Sequence, residues 1–310
     1  MGRSVAGVPD ELRARTTAGG LTMGSVASEH PDLTLWQRLL LRRIRHVAGR
    51  RAGEPLRPED WKVVMRLHQR GVGHAVDRLF FALPGSPRCS ACGAPFAGPG
   101  RLIAGPLGHR PSRKNPTLCA TCVELSPPGG GITLLAGILF ADIRGFTATF
   151  DGGNPEQAST VLRRFYRCAE DVLFPDAMID KLIGDEVMAL YLPDFKPKLS
   201  GHVPAVMLDH ARGLLRAVGY GSGRPPFVEL GIGLDLGEAF VGNIGERALV
   251  DFTAVGDVVN TAARLQAQAA GGEIIISERV ANGLPAPIGT RVQLTLKGKR
   301  EPQTAYRVSL

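Results

Sequence analysis

Apolar and polar residues along the chain follow two different periods. From Asp32 onward, Leu33, Trp36, Leu40, Ile44 and Val47 recur at steps of three and four, which is one face of an α-helix. Arg38, Arg42, Arg43 and Arg45 flank the stripe. The pattern predicts an amphipathic helix packed on its neighbours, with a dimer-forming or membrane-surface helix as sharper alternatives. Gly49 to Pro58 breaks it. A second helical stretch begins near Pro58, with Glu59 and Asp60 in the first turn where the helix dipole favours acid. It runs to about Leu83, with an interruption at Gly71-Val72-Gly73, and Pro84-Gly85 ends it.

Beyond Pro127-Pro128-Gly129-Gly130-Gly131 the pattern changes. Residues 132–142 form a near-continuous apolar strand. Residues 155–173 carry Val161, Leu162, Phe165, Ala169 and Val172 on one helical face. Strands are predicted over 178–183 and 186–192, around the turn Gly184-Asp185. A helix over 205–218, a strand over 227–236 and a helix over 258–270 follow. Short strands over 273–277, 292–296 and 305–308 close the chain. The order βαββαβ is the ferredoxin-like split pattern of an α+β protein. Cys168 falls in a helical pattern and reads as a small buried residue.

Composition sets limits. Of 310 residues, 44% are hydrophobic and 21% charged, which excludes a wholly disordered chain. No apolar run reaches the ~18 residues of a membrane-spanning helix. The first twenty residues carry no apolar leader core, so a cytoplasmic location is expected. The net charge of +8 is unevenly spread. Residues 1–131 hold 19 Lys/Arg and 9 Asp/Glu, a net of +10; the remainder hold 18 and 20, a net of −2. The surplus suggests that the N-terminal part meets nucleic acid or an acidic surface. That part has neither a groove-reading helix motif nor interleaved aromatic and basic residues.

Cys89-Ser90-Ala91-Cys92 and Cys119-Ala120-Thr121-Cys122 form two pairs separated by 26 residues. Two residues between cysteines let a tight turn bring both thiolates onto one ion, and a second turn completes a tetrahedral site. The segment is rich in Pro and Gly and poor in apolar material, so metal would be what folds it. Zinc and an iron–sulfur cluster both fit four cysteines. His109, in the polar loop between the pairs, reads as a solvated residue, with a ligand role as the alternative.

Acidic residues at strand ends carry the second candidate chemistry. Asp142 ends the first apolar strand and Asp185 sits at the hairpin tip. In a β-α-β-β unit these positions are neighbours, and paired carboxylates hold hard divalent cations. The adjoining turn, Ile143-Arg144-Gly145-Phe146-Thr147, can offer backbone N–H groups to phosphate oxygens. Such an arrangement suits metal-assisted phosphoryl or nucleotidyl transfer.

Four segments then resemble, in order and spacing, the catalytic motifs of class III nucleotidyl cyclases: residues 140–147 (FADIRGFT), 181–189 (KLIGDEVMA), 231–238 (GIGLDLGE) and 251–264 (DFTAVGDVVNTAAR). The resemblance covers about residues 132–310. It implies that Asp142 and Asp185 bind two Mg²⁺ or Mn²⁺ ions per active site. Ile143, Gly145, Phe146 and Thr147 would contact substrate. Lys181 and Thr253 would read the base. Asn260 would orient the ribose and Arg264 would stabilise the transition state. Lys297, in a segment similar to the family's last hairpin, would touch the triphosphate. Sites would form at a head-to-tail homodimer interface, with carboxylates from one subunit and base, ribose and transition-state residues from the other.

Some of these roles have independent physical support. Asn260 and Arg264 are four residues apart, on one face of the predicted helix. The Lys181 ammonium donates and suits the N1 acceptor of adenine better than the N1–H of guanine. The Lys/Thr pair therefore favours ATP; GTP and pyrimidine nucleotides are the alternatives. A nucleic-acid-binding zinc protein with an accessory cyclase domain is a further one. The expected organisation is a disordered basic arm (1–31), a helical segment (32–84), a small zinc-ribbon-like four-cysteine module (85–126) that regulates the enzyme, a linker (127–131) and a cyclase catalytic domain (132–310).

Overall fold

A computed structural model describes residues 33–60, 63, 72–112, 115–123, 129–151, 153–246 and 249–310. The expected N-terminal arm and Gly71 of the expected helix interruption lie outside these residues; Val72 and Gly73, the rest of that interruption, are helical. The N-terminal part contains α1 (Leu35–Val47), α2 (Val72–Ala82) and the short helices α3 (Arg101–Ala104) and α4 (Ala120–Val123). The remainder runs β1 (Gly131–Ile143), α5 (Phe146–Phe150), α6 (Pro155–Leu173), β2 (Met178–Ile183), β3 (Glu186–Tyr191), α7 (Val203–Val218), β4 (Leu230–Glu246), β5 (Leu249–Val255), α8 (Asp257–Gln268), β6 (Ile274–Ser277), α9 (Glu278–Asn282), β7 (Thr290–Leu294) and β8 (Gln303–Val308).

The strands form one sheet in the order β2-β3-β1-β4-β6-β8-β7, with β5 paired to β4. The first four strands pair antiparallel and, with α6 and α7, make the expected βαββαβ core. β4 continues well past the strand expected over 227–236. Its second half pairs with β5, an element the hydrophobic pattern did not announce.

The two faces of the sheet are covered differently. Alternate residues of β1, namely Leu139, Ala141 and Ile143, pack with Phe165, Ala169 and Leu173 of α6 and Ala211, Leu214 and Leu215 of α7. Residues of the opposite phase, Ile138 and Phe140, meet Met188 and Leu190 of β3 and Val258 and Ala262 of α8. They share that core with Cys89, Cys92, Phe96, Leu118, Cys119 and Val123. The cysteine segment is thus a layer on the sheet. α8 lies so close to β4 that a Cβ at Gly233 would collide with the Ala262 carbonyl oxygen and the Gln266 nitrogen.

The buried face of α1 differs from the expected stripe. Gln37, Leu41, Ile44 and Arg45 are buried, while Val47 is exposed. Gln37 Nε2 donates to the Gly108 carbonyl at 3.3 Å and Thr121 Oγ1 at 3.2 Å; Arg45 Nε donates to the Glu54 carbonyl at 2.8 Å. These tertiary partners rotate the face by about one residue. Cys168 is likewise half-buried rather than buried, with its thiol 3.6 Å from the Ala217 carbonyl.

Candidate active site and cysteine centre

The carboxylates come together as the strand order requires. Asp142 and Glu186 are directly opposite in the β1–β3 ladder, and Ile143 N donates to the Asp185 carbonyl at 3.2 Å. Gly184 supplies the left-handed turn at φ 61°, and the Tyr166 hydroxyl of α6 donates to its carbonyl, tying down the hairpin tip. Arg144 is ion-paired to Asp142. Burial, with the nearby Asp185 charge, raises the Asp142 carboxyl despite Arg144. Burial and the charges of Asp142 and Asp185 push Glu186 up to about 7. The sequence reading missed Glu186, although its place beside Asp185 in the hairpin was visible. A crowd of carboxylates on adjacent strand ends is a donor set suited to a hard divalent cation.

At Gly145 φ is 69°, a conformation that favours glycine, and it turns the chain into α5. Thr147 is exposed beside it, Phe146 is half-buried and Ile143 is buried.

Lys181 and Thr253 converge from different strands. The Thr253 hydroxyl lies 2.6 Å from Asp180 Oδ2, and Lys181 Nζ lies 3.9 Å from the same oxygen. Lys181 also pairs with Asp251 of β5. A register shift in the β2–β3 ladder between Ile179 and Lys181 takes Asp180 out of the regular pairing. Burial pushes the Asp180 carboxyl up to about 6, against the Thr253 hydrogen bond and the Lys181 charge. Two residues of the cysteine segment hold this backbone: Asn115 Nδ2 donates to the Asp180 carbonyl at 2.9 Å, and Thr117 Oγ1 to the Ile179 carbonyl at 2.6 Å.

Asn260 and Arg264 project from α8, Asn260 exposed and Arg264 half-buried. Arg264 lies beside the turn at Gly298. Lys297 is exposed. Its neighbour Lys299 ties that turn to α8 through both Asp257 oxygens, at 2.5 and 2.6 Å. Among the described residues, no hydrogen bond or ion pair joins Asp142 or Asp185 to Lys181, Thr253, Asn260 or Arg264 within the chain.

The four cysteines also converge. Their sulfurs lie within 4.8 Å of one another, and Cys89, Cys92 and Cys119 are buried. A tetrahedral ion with metal–sulfur bonds of about 2.3 Å spaces its ligands about 3.8 Å apart; Cys92 and Cys119 Sγ are 3.8 Å apart. Cys119 N donates to Cys89 Sγ at 3.2 Å and Cys122 N to Cys119 Sγ at 3.4 Å. Gly93, at φ 73°, makes the first turn, and a Cβ there would run into the Phe81 ring. His109 is buried, not solvated. Its Nδ1 lies 3.3 Å from Cys119 Sγ and 3.6 Å from Cys92 Sγ, and its ring packs edge-on to Phe80.

Residues 135–309 match the family described as the adenylate and guanylate cyclase catalytic domain. An adenylate cyclase of Anabaena cylindrica is 30% identical over 197 residues, covering 60% of this chain and 39% of the relative. A terminal-differentiation-specific adenylate cyclase of Dictyostelium discoideum is 29% identical over 182 residues, 55% of this chain and 8% of the relative. The chain therefore spans well under half the length of these relatives. Among solved structures it is similar to the adenylyl cyclase CyaB from P. aeruginosa (26% identity, 58% of this chain and 96% of that one, TM-score 0.47). It is also similar to the guanylyl cyclase Cya2 (28% identity, 58% and 93%, TM-score 0.46). No helix among the described residues is long and apolar enough to cross a membrane. The family match covers more than half the chain, from β1 to β8, and includes both strand-end carboxylates and the α8 pair: the chain belongs to the adenylate and guanylate cyclase catalytic-domain family.

Proposed function

We propose that the chain is an adenylate cyclase, converting ATP into 3′,5′-cyclic AMP and pyrophosphate between two copies of itself. The meeting of Lys181 and Thr253 at one buried carboxylate carries this reading. An ammonium and a hydroxyl at one spot are an edge-on reader for a purine base.

In this reading Asp142 and Asp185 hold Mg²⁺ or Mn²⁺. Bound there, the ions neutralise the triphosphate and make the ribose 3′-hydroxyl more acidic. Asn260 positions the ribose so that its 3′-oxygen lies in line with the α-phosphorus. Arg264 meets the charge that builds on the phosphoryl oxygens as pyrophosphate leaves. Gly145, Phe146 and Thr147 turn backbone N–H groups toward phosphate, and Lys297 lies at the rim. Among the described residues no hydrogen bond or ion pair joins the carboxylates to the α8 pair within one chain, which supports a site completed by a second copy.

For the cysteine centre we infer a single zinc ion. Four sulfurs within 4.8 Å leave room for one ion, whereas a multi-iron core would hold its thiolates further apart. Asn115 and Thr117 link this centre to the base-reading strand, which supports a regulatory role.

The test is cyclic nucleotide formation by the purified chain from ATP, or from GTP, with Mn²⁺. cAMP is expected, with losses of about 10²–10³ in kcat for Arg264→Ala and larger ones for Asp142→Asn. Mixing the two inactive variants restores part of the activity if sites form between copies. Absence of cAMP from dimeric, zinc-loaded protein refutes the reading. A colourless protein with one zinc per chain is expected; brown absorbance refutes the zinc assignment.

A further inference from the structure

The partner of Thr253 bears on base selection. A threonine hydroxyl can donate or accept, so alone it distinguishes a 6-amino purine poorly from a 6-oxo purine. Here its oxygen lies 2.6 Å from Asp180 Oδ2. The Asp180 side chain is fully buried. Its other oxygen, Oδ1, meets no hydrogen-bond donor, so Thr253 is the group that satisfies the carboxylate. An ionised carboxylate only accepts, which obliges the hydroxyl to donate to it. The hydroxyl lone pairs are then what remains for a ligand.

We propose that Asp180 is a specificity-positioning residue: its carboxylate takes the Thr253 hydrogen, so the hydroxyl meets the base as an acceptor and selects a 6-amino purine over a 6-oxo purine. The inference rests on the adenylate cyclase reading. Adenine offers an N–H at position 6 and an acceptor at N1, matching an accepting Thr253 and a donating Lys181. Guanine presents the reverse at both positions.

Asp180 is built to hold this role. The register shift in the β2–β3 ladder turns it out of the regular pairing. Asn115 Nδ2 clamps its carbonyl at 2.9 Å, and Thr117 Oγ1 clamps the preceding one at 2.6 Å. Its carboxyl, pushed up to about 6, is still mostly ionised at neutral pH, and Lys181 Nζ at 3.9 Å favours that form.

The experiment measures kcat/KM of the full chain, with Mn²⁺ at pH 7.5, for ATP, GTP and purine riboside triphosphate. The last keeps the N1 acceptor and lacks the 6-amino group. The native protein is expected to prefer ATP over purine riboside triphosphate about tenfold or more, and over GTP by a larger factor. In Asp180→Asn the amide can present a donor to Thr253, freeing the hydroxyl to donate. The ATP preference over purine riboside triphosphate is then expected to collapse to within about threefold, and that over GTP to narrow at least tenfold. General damage to the fold lowers all three rates together and leaves the ratios in place. Unchanged ratios in Asp180→Asn overturn the inference while leaving the cyclase reading intact. So does a native protein that uses purine riboside triphosphate as well as ATP, a result that needs no variant to fold. A native preference for GTP overturns both readings.

Discussion

The two faces of the sheet bury their apolar side chains by different means. On the α6/α7 face, Phe165, Ala169, Leu173, Leu214 and Leu215 close over β1 mainly by fit and volume. On the other face, α8 covers only part, and the cysteine layer completes the core with Cys89, Cys92, Phe96, Leu118 and Cys119. Buried polar groups gather there: His109, Asn115, Asp180, Asn243 and Thr253. Apolar packing is non-directional and tolerates small shifts, whereas hydrogen bonds fix position. The first face supplies bulk stability. The second ties the cysteine layer to β2 through the hydrogen bonds of Asn115 and Thr117 to the Asp180 and Ile179 carbonyls.

This contrast can be broken experimentally, beginning with the largest effect. Replacing Cys89 and Cys92 together by Ser is expected to cost about 5 kcal/mol or more, since metal binding is folding free energy in such a segment. Chelator treatment of the native chain should reproduce the loss in denaturant titrations. Phe165→Ala on the opposite face is expected to cost roughly 3–5 kcal/mol, by the same margin with or without chelator. If chelator and Phe165→Ala act on each other strongly, the faces are not independent.

Asp180 gives a pH signature. Its carboxyl, pushed up to about 6 by burial, binds a proton more tightly folded than unfolded. The resulting stability is fully present below the ordinary carboxylate range and is lost as pH rises through about 6. Asp180→Asn should therefore gain up to roughly 3 kcal/mol relative to the native chain between pH 4 and 7. Thermal melts across that range test this, and a pH-independent difference refutes it. The smallest effect is expected at Asn115. Removing its bond to the Asp180 carbonyl with Asn115→Ala should cost about 1–2 kcal/mol, and KM for ATP should rise more than kcat falls.

Legibility in the sequence followed how local each determinant is. The β2–β3 hairpin was readable almost to the residue, because two apolar runs flank Gly184-Asp185. The four-cysteine grouping and the Asp142–Asp185 pairing were readable from spacing and strand order. β5 was not, since Asp251 and Thr253 interrupt its apolar run and turn instead to Lys181 and Asp180. The face of α1 was displaced because Gln37 and Arg45 are buried on partners 71 and 9 residues away. The burial of His109 and the place of Asp180 carried no signal, as each is defined by neighbours distant in the chain.

Gly233 has no chemical group to contribute, yet few positions are less open to change. The helix bearing Asn260 and Arg264 rests on its bare Cα, and one added methyl would lift that helix from the sheet. An engineer wishing to move Asn260 and Arg264 therefore has two routes of very different reach. Substitutions on α8 exchange one group at a time. Ala at Gly233 would displace the whole helix at once, and no trimming of the Ala262 or Gln266 side chains would repair it, because backbone atoms are what stand in the way. Sequence drift at this glycine is accordingly blocked from both sides.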